Sequence, residues 1–171
     1  DGVTGLVPYS DDVLIVGGDH TIYMFRGDPM SGGQIDLVTN AIGMAWGKAW
    51  AMDPYGTIYF LSNRTGIYTL IPGQQPQRIS QQIEQLLDDI DTGANTVRLL
   101  WHDRAQGLHV FVSPTAAPEP LTRTLWAPGN RVGQTVTLPT THFFYEQRSG
   151  AWFTYTFGHK NLNPLCCVTL D

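Results

Sequence analysis

The stretch Lys48-Ala49-Trp50-Ala51-Met52, Asp53-Pro54-Tyr55-Gly56, Thr57-Ile58-Tyr59-Phe60-Leu61 decides the fold. Two runs of apolar, aromatic and β-branched residues flank four bend-forming residues, which is the pattern of a β-hairpin. The chain then turns again through Asn63-Arg64-Thr65-Gly66 into Ile67-Tyr68-Thr69-Leu70-Ile71. Working outward, the same grammar recurs on both sides. Upstream, Val13-Leu14-Ile15-Val16 and Thr21-Ile22-Tyr23-Met24-Phe25 flank Gly17-Gly18-Asp19-His20, where Gly and Asp accept the positive φ angles of a tight turn. Downstream, Leu99-Leu100-Trp101-His102 leads through Asp103-Arg104-Ala105-Gln106-Gly107 into Leu108-His109-Val110-Phe111-Val112, and His142-Phe143-Phe144-Tyr145 leads through Glu146-Gln147-Arg148-Ser149-Gly150 into Ala151-Trp152-Phe153-Thr154-Tyr155.

Spacing turns these hairpins into an architecture. A polar residue opens each of the four turns at Asp53, Asn63, Asp103 and Glu146, and Gly closes it. An aromatic or His follows two positions later at Tyr68, His109 and Trp152, with Tyr59 slipped by one. Gly66, Gly107 and Gly150 are 41 and 43 residues apart, a period expected of four-stranded propeller blades. A sandwich or barrel gives short strands but does not require that period. The expected fold is therefore all-β, a propeller-like array of antiparallel blades spanning residues 1–171.

Two stretches break the β pattern. Across residues 78–90, Ile79, Ile83, Leu86, Leu87 and Ile90 fall at helical offsets, with Ser80 placed as an N-cap and Glu84 in the first turn, so one short amphipathic helix is expected. Residues 114–139, which contain Pro118, Pro120, Pro128 and Gly129, read as a long inserted loop. Loops of that length are usually either mobile or engaged with a partner, and Leu121, Leu125, Trp126 and Arg131 are the candidate partner-binding residues within it.

Composition narrows the function. Ten Lys and Arg against fifteen Asp and Glu give a net charge of -5, which disfavours nucleic acid and anionic membranes as partners. No run approaches the roughly 18 apolar residues of a membrane span, and no leader pattern opens the chain. Cys166 and Cys167 are adjacent and match no zinc spacing. The five histidines, His20, His102, His109, His142 and His159, show no His-x-x-x-His or His-Glu-x-x-His pattern, so they read as strand residues and no metal is expected. Nucleophile-elbow and phosphate-loop motifs are absent, and the acid pairs Asp11-Asp12 and Asp88-Asp89 occupy a strand start and a helix end. The turn carboxylates Asp19, Asp53 and Asp103 are explained by hydrogen bonds to bend amides, which leaves calcium possible but not required. No catalytic residue and no cofactor is expected.

The phrases from Gly43 through Trp46-Gly47-Lys48-Ala49-Trp50, then Gly56-Thr57-Ile58-Tyr59-Phe60-Leu61, Thr65-Gly66-Ile67-Tyr68 and Pro76-Gln77-Arg78-Ile79-Ser80, resemble the blades of propeller-type structural proteins of tailed bacteriophage virions. Phe143-Phe144-Tyr145 to Gly150-Ala151-Trp152 is similar to their next blade. The likeness spans residues 13–157, and the order of phrases carries it more than any one phrase. It implies a non-enzymatic part of the tail, neck or head-tail adaptor. Such a part contacts other virion subunits, is a homo-oligomer in a symmetric assembly, and has no catalytic residues to carry over. At about 42 residues per blade the chain holds roughly four blades, few for a closed ring, so an incomplete propeller or part of a larger one is expected. A competing reading is a glycan- or receptor-binding propeller with Tyr55, Trp101, Trp126 and Trp152 as an aromatic platform.

Overall fold

In the computed structural model, residues 2–64, 66–88, 90, 95–114, 121–125, 134–138 and 141–156 are described. Three four-stranded antiparallel sheets follow one another along the chain. The first joins β1 (Val3–Ser10), β2 (Val13–Gly18), β3 (Ile22–Arg26) and β4 (Gln34–Thr39) in chain order. The second joins β5 (Trp50–Met52), β6 (Ile58–Ser62), β7 (Gly66–Leu70) and β8 (Gln77–Arg78) in the same way. The third joins β9 (Asn95–His102), β10 (Gly107–Pro114), β13 (Thr141–Glu146) and β14 (Ala151–Thr156), with the two-stranded pair β11 (Leu121–Leu125) and β12 (Gln134–Leu138) inserted between β10 and β13. All-β is thus the architecture, with one short α-helix, α1 (Glu84–Asp88), before the third sheet.

Packing runs through the second sheet. All five residues of β6 are buried, and their alternation sends them to opposite sides. Ile58 and Phe60, with Tyr68 and Leu70 of β7, share a core with Val7, Ile15, Ile22 and Met24 of the first sheet. Tyr59 and Leu61, with Ile67, share another with Val97, Leu99, Trp101, Leu108, Val110 and Phe143 of the third sheet and with Ile83 and Leu87 near the helix. The second sheet is therefore sandwiched between the other two. At about 1.5–3 kcal/mol per buried large apolar side chain, neither face could be left wet without losing several such contributions.

The first strands of successive sheets lie next to one another. The Gly47 amide, just before β5, donates to the Thr4 carbonyl of β1 at 3.2 Å, and the Leu99 amide of β9 donates to the Lys48 carbonyl at 3.4 Å. β5 and β9 are also in contact. At the other side of the stack, the Trp152 indole of β14 donates to the Ile79 carbonyl after β8 at 2.9 Å, and the Gln75 side chain reaches the Val38 carbonyl of β4 at 3.0 Å.

Several sequence expectations are corrected. Gly107 opens β10 and Gly150 immediately precedes β14 of the same sheet, so the 41- and 43-residue spacing does not count sheets. The repeat is seen instead in the first residues of β1, β5 and β9, Val3, Trp50 and Asn95, which are 47 and 45 residues apart. Roughly four sheets were expected from length; three four-stranded ones are described, because residues 114–139 are spent on the insertion. That insertion, read as a loop, holds a hairpin whose pairing runs from Leu121↔Leu138 to Leu125↔Gln134.

Local details differ as well. Gly17 and Gly18 sit inside β2 without positive φ; a side chain at Gly17 would overlap Met44, which packs there. At the β9–β10 turn it is Gln106, not Gly107, that takes a positive φ of 47°. Gly107 is required for another reason, since a Cβ there would overlap the Phe144 ring. The helical stretch covers a 3-10 turn over Gln81–Ile83 and then α1, with Arg78 in β8. Leu86, expected inward, is exposed, and the Ser80 hydroxyl does not cap the helix. It accepts instead from the Ile67 amide of β7 at 2.9 Å, fully buried.

Two outcomes follow from this packing. Tyr59→Ala and Phe60→Ala should each cost about 3–5 kcal/mol in urea unfolding although their side chains point in opposite directions, while Tyr55→Ala in the exposed turn stays within about 0.5 kcal/mol. A near-neutral result for either core variant would mean that one face of β6 is not packed. Ser80→Ala should cost about 1–3 kcal/mol by the same measurement, because it leaves the Ile67 amide buried without its acceptor.

Candidate functional site

Among the described residues, the most distinctive surface is the outer side of the first sheet. Strand pairing arranges that side in two rows. Leu6, Val16, Tyr23 and Leu37 lie opposite one another across the four strands, as do Pro8, Leu14, Phe25 and Ile35. None of the eight is charged. Leu6, Ile35 and Leu37 are 53%, 64% and 55% exposed, so the face is apolar and open. The Arg26–Asp36 ion pair, 3.4 Å apart, belongs to the opposite parity of β3 and β4 and does not interrupt these rows.

The outer side of the third sheet is of another kind. Its rows are Leu100, His109, Phe144 and Phe153, then Arg98, Phe111, His142 and Tyr155. Three imidazoles are linked across adjacent strands: His102 Nδ1 lies 3.2 Å from His109 Nε2, and His109 Nδ1 lies 2.8 Å from His142 Nε2. Rings stack around them, with Phe111 4.4 Å and Tyr155 5.2 Å from His142, and Phe144 4.7 Å from His109. A neutral His109 satisfies both links, donating an N–H from one ring nitrogen and accepting an N–H at the other. Burial, then the neighbouring His142 and His102, lowers the His109 pKa to about 4, and burial lowers that of His142.

Sequence spacing alone does not bring these histidines together. His102 and His109 stand on the two arms of one hairpin, and His142 joins them only because β13 pairs with β10 across the insertion. The legible signal is that all three fall on the parity opposite Trp101, Val110 and Phe143. Among the described residues no group of three His, Cys, Asp or Glu side chains is arranged to hold a metal ion. No helix among them is long and apolar enough to cross a membrane.

Of the candidate partner-binding residues, Leu121 and Leu125 are the two ends of β11, while Trp126 and Arg131 lie outside the described residues. Cys166, Cys167, His159, Asp89 and Asp91 also lie outside them. The aromatic platform is not assembled from the members that are described. Trp101 is buried and stacks on Tyr59 at 5.2 Å, and Trp152 packs against Tyr145 and holds Ile79, whereas Tyr55 stands alone in an exposed turn. Trp101 and Trp50 border an open cleft of about 410 Å³ between β5 and β9, where the Lys48 ammonium sits 4.1 Å from the Trp50 ring.

Asp53 shows what the turn carboxylates do. Its Oδ1 accepts from the Tyr55 and Thr57 amides at 2.9 and 2.8 Å, and its Oδ2 accepts from the Tyr59 hydroxyl at 3.3 Å. Burial and then Asp53 itself raise the Tyr59 pKa, so the phenol stays protonated and donates. The Gln147 side chain, from the β13–β14 turn, donates to the same hydroxyl at 3.3 Å and ties the third sheet to the second.

The histidine chain makes stability depend on acid. The folded His109 pKa, about 4, lies below the ordinary 6.5 of the unfolded chain, so between these values the unfolded state binds more protons. Stability is therefore expected to fall as pH drops from 6.5 towards 4, with the loss complete below that and no contribution from His109 above 6.5. Urea unfolding of wild type and His109→Phe across this range checks it, the variant giving a shallower slope; identical slopes would remove His109 from the effect. No protein-family model matches this chain, and no curated protein matches it.

Proposed function

We propose that this chain is a non-enzymatic structural component of a tailed bacteriophage virion, in the tail, neck or head-tail adaptor region. In this reading its three sheets are consecutive blades of a propeller-like array. Its work is to hold shape and to join subunits.

One observation carries the array: three four-stranded sheets stack in chain order with their first strands side by side, linked from Thr4 to Gly47 and from Lys48 to Leu99. That is what blades around a common axis require, because each blade buries both faces against its neighbours. The phage assignment is supported by the ordered phrases from Trp46 to Ser80 and from Phe143 to Trp152. The role in assembly is supported by the uncharged outer face of the first sheet, an apolar surface of the kind that marks protein contacts. The β11–β12 hairpin, a two-stranded sheet of its own, is a second contact element in this proposal.

The test is location. Mass spectrometry of gradient-purified particles should recover the chain at a fixed ratio to the other tail or neck subunits, and antibody labelling should mark one end of the particle. Recovery only from the soluble lysate, with none in particles, would overturn the assignment. Limited proteolysis adds a local readout: cleavage between Leu125 and Gln134 should be suppressed in the particle relative to the free chain.

A further inference from the structure

The first sheet is apolar on both sides, and the chain covers one of them. Val7, Ile15, Ile22 and Met24 press on the second sheet, whereas on the other side Leu6, Tyr23, Ile35 and Leu37 are 53%, 37%, 64% and 55% exposed. We infer that this open face docks on the same face of a second copy, the two first sheets packing as a sandwich about a twofold axis that runs along their strands. The inference rests on reading the face as a contact surface, and it names what the face contacts.

Size complementarity is the first argument for a second copy. The sheet order puts β2 and β3 on either side of the midline of the patch, with Leu14 and Val16 of β2 opposite Phe25 and Tyr23 of β3. A twofold axis along the strands lays β3 of one copy over β2 of the other, so each aromatic ring meets a smaller aliphatic side chain. The same axis lays β1 over β4, so Leu6 meets Leu37. Large residues facing small ones are what let two sheet faces interdigitate.

Charge is the second argument. In a twofold contact the patch faces itself, so any charge in it would be buried against apolar groups or against its own kind. All eight side chains of the two rows are uncharged, and the Tyr23 hydroxyl is their one polar group. A partner chosen by ion pairs or hydrogen bonds finds almost nothing here to recognise. The net charge of -5 also disfavours an anionic bilayer as the occupant.

Area sets the strength. Four strands about 4.8 Å apart and about 20 Å long give a patch on the order of 400 Å² per copy. That is the small end of specific interfaces, so the free pair is weak, with a Kd on the order of 10 μM. An assembly that holds copies side by side supplies an effective concentration of about 1 mM, at which such a contact closes.

Sedimentation equilibrium and native mass spectrometry test this. The 19.0 kDa chain should pass from monomer to dimer and should dimerise more tightly as salt is raised, because the copies carry like net charge and the face carries none. Leu6→Lys and Leu37→Glu should each weaken the dimer by about 10-fold or more, since each puts two unpaired charges into the contact. An equimolar mixture of the two should recover it, because one new ammonium then faces one new carboxylate while a native Leu6–Leu37 pair remains at the other edge. Tyr55→Glu, which adds a carboxylate in the exposed β5–β6 turn, should leave the Kd unchanged, and near-UV circular dichroism verifies that the variants fold. Failure of the mixture to recover the dimer would overturn the twofold arrangement. A dimer that resists both substitutions, or that salt weakens, would be held elsewhere and would overturn this face as its site. A wild-type chain that stays monomeric at about 200 μM, well above the expected Kd, overturns the second copy as occupant. Recovery of the Ile35→Glu chain in purified particles then separates the two readings: depletion keeps the face as a contact for another subunit, whereas recovery equal to wild type removes the contact reading as well.

Discussion

Five consecutive residues, Ile58 to Ser62, are all withdrawn from water, and the rest of the structure is arranged to make that so. A strand alternates its side chains, so a strand dry on every residue must have material on both sides of its sheet. One neighbouring sheet covers Ile58 and Phe60, and another covers Tyr59 and Leu61. The order of the sheets in space then follows from their order in the chain. Met44, Ala45 and Ala49 of the return segment are buried as it crosses from β4 to β5, while Trp46 between them is exposed.

Apolar contact alone would let sheets slide, since it has no direction. Alignment comes from a few polar links whose geometry is strict. Asp53 fixes the β5–β6 turn and orients the Tyr59 hydroxyl, which Gln147 of the next sheet then finds. Trp152 places its indole N–H on the Ile79 carbonyl, and Ser80 turns inward to the Ile67 amide. The Gln147 and Trp152 links join segments far apart in the chain, and the links satisfy groups that burial would otherwise leave costly. Tyr59 combines both roles, with its ring on Trp101 and its hydroxyl in the polar chain.

Much of the fold was legible because hairpins are local. Strands β2, β3, β6, β7, β9, β10, β13 and β14 are visible as alternating or continuous β-rich runs around Gly and Asp turns. β4 is equally regular in Ile35 and Leu37, but its polar partners Gln34 and Asp36 make it an edge strand that reads as a connection. β11 and β12 are masked by the prolines around them, although Leu121-Thr122-Arg123-Thr124-Leu125 and Gln134-Thr135-Val136-Thr137-Leu138 carry strand-forming Thr and Val. The helix was overextended because Leu86 fits a helical stripe that the shorter structure turns outward. The Gly spacing misled because insertion of a hairpin inside one sheet gave a separation close to that of successive sheets. What no local pattern could supply is the meeting of His102, His109 and His142, or the roles of Trp101 and Trp152, since these depend on which strands become neighbours.

The insertion has a further consequence. β10 and β13 pair in unbroken register from Gly107↔Glu146 to Val112↔Thr141, so the sheet is continuous whatever the chain does between those last two partners. Closing a loop across a fixed pair of anchors grows dearer only slowly, by about 0.6 kcal/mol for each doubling of its length. Such a port lets sequence drift, lengthen or be exchanged at one spot while the surrounding scaffold keeps its shape, which is how a rigid part can acquire new neighbours without being redesigned.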